Sequence, residues 1–218
     1  MLSKRHKLIF VHIPKCAGQS IEQLFLEDLG LTWKTRSPLL LRPKRQNEDG
    51  PEKLAHLYAY EYVKFDKISR QEFDTYFKFS VVRDPIDRVV SELNYRCIKR
   101  GRFGFSSAEE YIQTTLSESE RYSDVRRHLE PQINFLFTED GSSLLVDRVI
   151  NFDSLHREIS EITTQFCFKK GLRLQHINQP MSQSWLRQNL SLGDIDFLSH
   201  YYSKDYQFIE AHLAGELK

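Results

Sequence analysis

Three short apolar runs recur along the chain, and each hands over to a segment whose apolar residues fall at helical spacing. Leu8 to Val11 is followed by Ile21, Leu24, Phe25 and Leu29, and Phe79 to Val82 by Val89, Val90 and Leu93. Leu144 to Phe152 is the third run, with Asp153 as the expected N-cap of a helix to about Phe166. Continuous apolar runs of this length suit strands buried on both faces, and a repeated strand-helix order implies an α/β fold with a central parallel sheet flanked by helices. Further helices are predicted at 69–77, capped by Ser69, and from the Ser107-Ala-Glu-Glu110 pattern to about Leu116. Helical segments are also expected over 119–129 and 131–137, and two or three more after Ser182 with Asp194 and Ser203 as caps. Residues 31–55, with Pro38, Pro43, Gly50 and Pro51, read as a long connection.

The first two junctions carry candidate chemistry. Between Val11 and the first helix stand Pro14, Lys15, Cys16, Ala17, Gly18, Gln19 and Ser20. At a strand-to-helix turn the unpaired N–H groups and the positive end of the helix dipole converge, which favours a phosphate or sulfate. Gly18 is read as allowing the backbone close to the anion, Lys15 as a mobile positive charge and Ser20 as a hydroxyl donor. At the second junction Asp84 is an expected N-cap and Pro85 suits the first helical position. Arg83 sits at the strand end, where a guanidinium can fork onto phosphate oxygens, and Ser91 follows on the helix.

Together the two stretches resemble the sulfotransferases that use 3′-phosphoadenosine 5′-phosphosulfate (PAPS), in the branch of carbohydrate and heparan 2-O-sulfotransferases and their bacterial relatives. The resemblance rests on PKxxGxS at Pro14–Ser20 and RDPxxRxxS at Arg83–Ser91, present in that order, with weaker likeness at 146–159. It implies a P-loop-NTPase-like three-layer sandwich. It also implies that Pro14 to Ser20 hold the 5′-phosphosulfate and that Arg83 and Ser91 hold the 3′-phosphate. Cys16 and Gln19 stand where Thr is usual, so their side-chain contacts are in question. His56 matches a histidine that in this branch acts as general base, and its type suits the task because imidazole titrates near neutrality. Glu61 is the next candidate base, and His12 is placed at a strand end. His176 and Asn178, in GLRLQHINQP, resemble a late loop that closes over the nucleotide. Tyr202, Asp205, Tyr206 and Phe208 match a terminal pattern read as packing.

The expected reaction is in-line transfer of a sulfuryl group to an acceptor hydroxyl, first of all on a carbohydrate, releasing 3′-phosphoadenosine 5′-phosphate (PAP). Lys15 and the loop N–H groups would stabilise the departing phosphate. No metal is expected, and no Asp/Glu/His cluster is evident along the chain. Lys34, Arg36, Arg42, Lys44 and Arg45 form a run without acids that would attract an anionic acceptor.

Composition narrows this picture only a little. The 218 residues fit one domain over 1–218, and 31 basic against 30 acidic residues leave a formal charge of +1, which argues against a nucleic-acid partner. Three cysteines without C-x-x-C spacing suggest neither a disulfide framework nor a zinc motif and fit a reducing, cytoplasmic compartment, by resemblance a bacterial one. The apolar run after MLSKRHK is too short for a signal peptide or membrane anchor. Two rival classes stay open: a P-loop kinase, although G-x-x-x-x-G-K-[ST] is absent, and a non-catalytic nucleotide-binding module.

Overall fold

The computed structural model describes residues 1–100, 104–175 and 187–215, apart from the side chains of 97–100. Its sheet has four strands in the order β1 (Leu2–Ser3), β2 (Leu8–Val11), β3 (Phe77–Val82) and β4 (Arg148–Asn151). β2, β3 and β4 run parallel, and β1 pairs antiparallel to β2 at the edge. The fold is therefore mixed α/β with a small sheet flanked by helices. Every residue of β2 is buried, as are five of the six in β3, which is why both read as unbroken apolar runs. β4 is shorter than the apolar run that announces it. The N–H of Leu145 bonds Leu136 O at 2.8 Å and Leu144 bridges Phe137, so the front of that run is spent on a separate turn.

Helix α1 (Gly18–Leu29) follows β2, and α2 (Glu61–Lys64) and α3 (Arg70–Thr75) precede β3. Helix α4 (Pro85–Arg100) follows β3, then come α5 (Ala108–Glu118), α6 (Asp124–Arg127) and α7 (Ile133–Leu136). After β4 lie α8 (Leu155–Gln165), α9 (Leu192–Tyr201) and α10 (Ser203–Leu213). Ser69 caps α3 in a full capping box with Glu72, and Asp84 Oδ1 accepts the Asp87 N–H at 2.8 Å at the start of α4, both as expected.

Several expected helices and caps are corrected. The segments 119–129 and 131–137 hold only four-residue helices. Ser119 ends α5 in extended backbone, Ser123 caps a fresh start at Asp124, and Pro131 cannot continue that helix because it has no N–H to donate. Asp153 is not a cap: its N–H is bonded by Asn151 Oδ1 at 2.9 Å. Ser191, not Asp194, caps α9. Asp194 completes the capping box and also accepts the Ala108 N–H at 2.8 Å, tying α9 to α5. Ser203 opens α10 after Tyr202, which offers no side-chain cap.

One buried apolar group surrounds the sheet, α1 and α8. A second joins Val89, Val90 and Leu93 of α4 to Ile112, Leu198 and Tyr202. The carboxyl ends of β2 and β3 lie side by side, with Val11 beside Ser80 and the Ser80 hydroxyl donating to Val11 O at 2.7 Å. Ligand crevices of open α/β sheets lie beyond such ends. Among the described residues, no helix is long and apolar enough to cross a membrane.

Candidate active site

The loop after β2 is built from backbone that side chains rarely adopt. Lys15 and Ala17 both have left-handed φ, 71° and 58°. Such residues cost about 1–3 kcal/mol each and persist only where the surroundings impose them. Alternating them between ordinary residues curls the N–H groups into a concave nest that suits an anion. Helix α1 has no acid in its first turn, so the positive end of its dipole is left uncompensated there.

The structure gives a further reason for glycine at position 18. A Cβ built on it would lie 1.7 Å from His12 Nε2, so the imidazole occupies the space a side chain would need. His12 is held there by Glu22 Oε1, 2.7 Å from its Nδ1, and both groups are buried. Cys16, too, turns inward. Its thiol faces Gln132 Oε1 at 3.5 Å, and burial pushes its pKa up to about 12. The side chain thus leaves only backbone to the loop. Cys16 is expected to stay unalkylated by iodoacetamide at pH 8 in the folded protein while the exposed Cys167 reacts; peptide mass spectrometry reads both, and rapid labelling of Cys16 would contradict its burial.

Arg83 brings the second motif to the first. Its guanidinium lies 3.4 Å from Lys15 O and 4.5 Å over the Phe152 ring. Gln132 clamps its backbone from both sides, accepting the N–H at 2.9 Å and donating to the carbonyl at 2.8 Å. Gln132 is held in turn by buried Asp205, which accepts the N–H groups of Gln132 and Ile133 at 2.9 and 3.1 Å. Asp205 therefore does more than pack: it fixes the residue that fixes Arg83. Ser91 lies half-buried along α4. Arg88, the second arginine of that motif, is fully buried and donates to the carbonyls of His128 and Glu130 at 3.0 and 2.8 Å.

One of those carbonyls belongs to a histidine that packs with two others. The rings of His12 and His56 meet edge-on at 4.8 Å, and those of His56 and His128 at 5.1 Å. Each has a carboxylate on Nδ1: Glu22 for His12, Asp124 for His56 at 2.8 Å, and Glu92 for His128 at 2.6 Å. Lys53 Nζ reaches the other Asp124 oxygen at 2.5 Å, and Arg96 reaches Glu92 at 2.5 Å. Lys15 Nζ lies 4.0 Å from Glu92 and 4.4 Å over the Tyr95 ring. Burial lowers the His56 pKa to about 3, outweighing the pull of Asp124 in the other direction, so the ring is neutral across the working range. Burial opposes ionisation of Glu92, yet His128 and Arg96 bring its pKa down to about 2.

Glu61 is removed as a candidate base. Arg127 grips both its oxygens, at 2.6 and 2.8 Å, and both side chains are buried. The same guanidinium donates to His56 O at 3.0 Å, so the pair supports the histidine's backbone. The expectation of no metal-type cluster is corrected as well. His56, Asp124 and His128, far apart in the chain or on a short helix, each bring a ligand atom within 4.8 Å of the others. Two of the five basic residues of 34–45 are turned to partners inside the chain: Arg42 bonds Glu48 at 2.6 and 2.9 Å, and Arg36 bonds Trp33 O. His176 and Asn178 lie outside the described residues.

Asp124, His128, Glu92, Glu22 and Gln132 escaped sequence reasoning. The one local signal was spacing: Asp124 and His128, like Glu92 and Arg96, stand four apart, which puts them on one helical face.

A family model described as the sulfotransferase family matches residues 1–209. The chain belongs to the sulfotransferase family. No curated protein and no solved structure matches it. Membership gives this sulfotransferase-family protein a general chemistry, sulfuryl transfer, in which an anionic donor must be cradled and a nucleophile deprotonated. The left-handed loop at Lys15, the clamped Arg83 and the carboxylate-bound His56 are groups of the kinds those tasks need.

Proposed function

We propose that the protein moves a sulfuryl group from PAPS to an acceptor hydroxyl, most readily on a carbohydrate, with His56 as general base. The observation that carries this reading is the convergence of three parts. Arg83 touches the Lys15 loop at 3.4 Å, and His56, oriented by Asp124 at 2.8 Å, packs on His12 at that loop's entrance. With Asp124 ionised, His56 Nδ1 donates to it and Nε2 carries the lone pair, the arrangement of a base held in one tautomer by a carboxylate.

In this scheme His56 Nε2 takes the hydroxyl proton as the oxygen–sulfur bond forms. The bond from sulfur to the bridging phosphate oxygen breaks, and its electron pair leaves on PAP. Lys15, the α1 N-terminus and the loop N–H groups stabilise that charge, the donor competing with Glu92 for the ammonium. Arg83 and Ser91 receive the 3′-phosphate, which separates this donor from ADP. The exposed Lys34, Lys44 and Arg45 suit an acceptor that is itself anionic. The reading takes residues 1–218 as one domain with the P-loop-like three-layer arrangement.

Calorimetric titration with PAP against ADP, in chelator, tests the donor, and transfer of labelled sulfur from PAPS to a panel of sugars tests the reaction. Binding of PAP that ADP does not reproduce is expected. Binding of neither, or of ADP only with magnesium, would overturn the reading. Arg83→Ala is expected to weaken PAP binding by about 10–100-fold, since charge-assisted hydrogen bonds are lost. An unchanged Kd would exclude Arg83 from the donor site.

A further inference from the structure

We infer that His56, Asp124 and His128 bind a zinc-class divalent ion, and that the ion holds the base in an inactive form. All three residues are buried, and Asp124 Oδ1 stands 2.8 Å from His56 Nδ1 and 3.8 Å from His128 Nε2. A tetrahedral zinc with ligands at about 2.0–2.1 Å holds its donors about 3.3 Å apart, between those two separations.

A second observation singles out His128. Its Nε2 is buried and has no hydrogen-bond partner among the described residues, while its Nδ1 lies 2.6 Å from Glu92. An ionised carboxylate only accepts, so Nδ1 carries a hydrogen and Nε2, turned toward Asp124, is the nitrogen left to ligate an ion. A carboxylate behind the far nitrogen is the support that ligating histidines have in metalloproteins. Lys53 holds Asp124 Oδ2 at 2.5 Å and leaves Oδ1 to the two imidazoles. Two imidazoles and one carboxylate oxygen favour zinc over magnesium, and a fourth position is left for water.

The ion takes the place of the hydrogen that His56 Nδ1 shares with Asp124, and that hydrogen moves to Nε2 with no net loss of a proton from the ring. Neutral His56 then carries its hydrogen on Nε2 and cannot take one from an acceptor. Binding stands on the geometry alone; the inhibitory part rests on the reading of His56 as base.

The test is calorimetric titration of the full chain with zinc chloride, with magnesium chloride as control. One zinc per chain with a micromolar or tighter Kd and no magnesium heat are expected. Cobalt should give the visible absorption of a tetrahedral site. His128→Gln should weaken zinc binding at least tenfold and abolish the cobalt bands, while His200→Gln, at an exposed helix position, should change neither. Should His128→Gln fail to fold, imidazole nitrogen shifts in the wild-type protein report instead, and zinc should move those of His56 and His128. Absence of stoichiometric zinc, undiminished affinity in His128→Gln, or shifts confined to other histidines would overturn the site. Zinc should also stop sulfuryl transfer, with a chelator restoring it. Zinc held at these residues with transfer undiminished would overturn the inhibitory part. No transfer even in chelator would count against the proposed function and leave the zinc site standing.

Discussion

His56→Ala is expected to lower turnover by about 10²–10⁴-fold, the range a positioned general base contributes, while PAP binding stays within a fewfold of wild type. The split follows from placement: His56 is oriented by Asp124 at 2.8 Å, and the donor contacts are assigned to the Lys15 loop and to Arg83. Asp124→Asn gives a finer reading, because an amide can donate to Nδ1 and stabilise the tautomer with the hydrogen on Nε2. Its turnover should fall as well, with the protein still folded. Initial rates of labelled-sulfur transfer and calorimetric Kd values for the same preparations decide the matter. Turnover of His56→Ala equal to wild type would place the base elsewhere, and a parallel loss of PAP binding would make His56 a structural residue of the donor site.

Gly18→Ala is expected to be severe for a reason that has nothing to do with glycine's backbone freedom. The added methyl would lie 1.7 Å from His12 Nε2, and the ring cannot simply swing away, because Glu22 holds it and would be left as a buried, unpaired carboxylate. Overpacking of this kind costs about 1–3 kcal/mol, and an orphaned buried acceptor about 1–3 kcal/mol more. Denaturant unfolding should show the loss, and PAP binding should weaken because the distortion falls within the loop proposed to hold the donor. The companion His12→Ala makes room for the methyl, so the Gly18→Ala, His12→Ala pair should be less destabilised than the sum of the two single changes. Additive costs, or a Gly18→Ala protein as stable as wild type, would remove His12 from the account.

Much of this site could be read directly from the chain because it is local. A strand of four apolar residues, a turn carrying Lys15 and an amphipathic helix are consecutive, and so are β3, Arg83, Asp84 and Pro85. The Ser69 capping box and the Asp84 cap each need only a residue and its neighbour three positions on. Short helices were the weak point. Propensity spread over 119–137 has no way to register that Ser119 and Ser123 cap two different helices or that Pro131 breaks the second.

What only the tertiary structure decided is what the chosen side chains touch. Asp124 meets His56 across 68 positions of chain, Gln132 meets Arg83 across 49, and Asp205 meets Gln132 across 73. Glu61 looked as available as any carboxylate until Arg127, 66 positions away, took both its oxygens. That the space beside Gly18 is filled by the His12 imidazole is likewise a fact of the fold. By itself the sequence determined the two motif loops, the parallel strands that carry them and the family to which they point, because those depend on residue order within a turn or two. Which histidine is held by which carboxylate depends on burial: once desolvated, each charged group must find a partner, and the partner within reach is set by how the layers pack rather than by proximity along the chain.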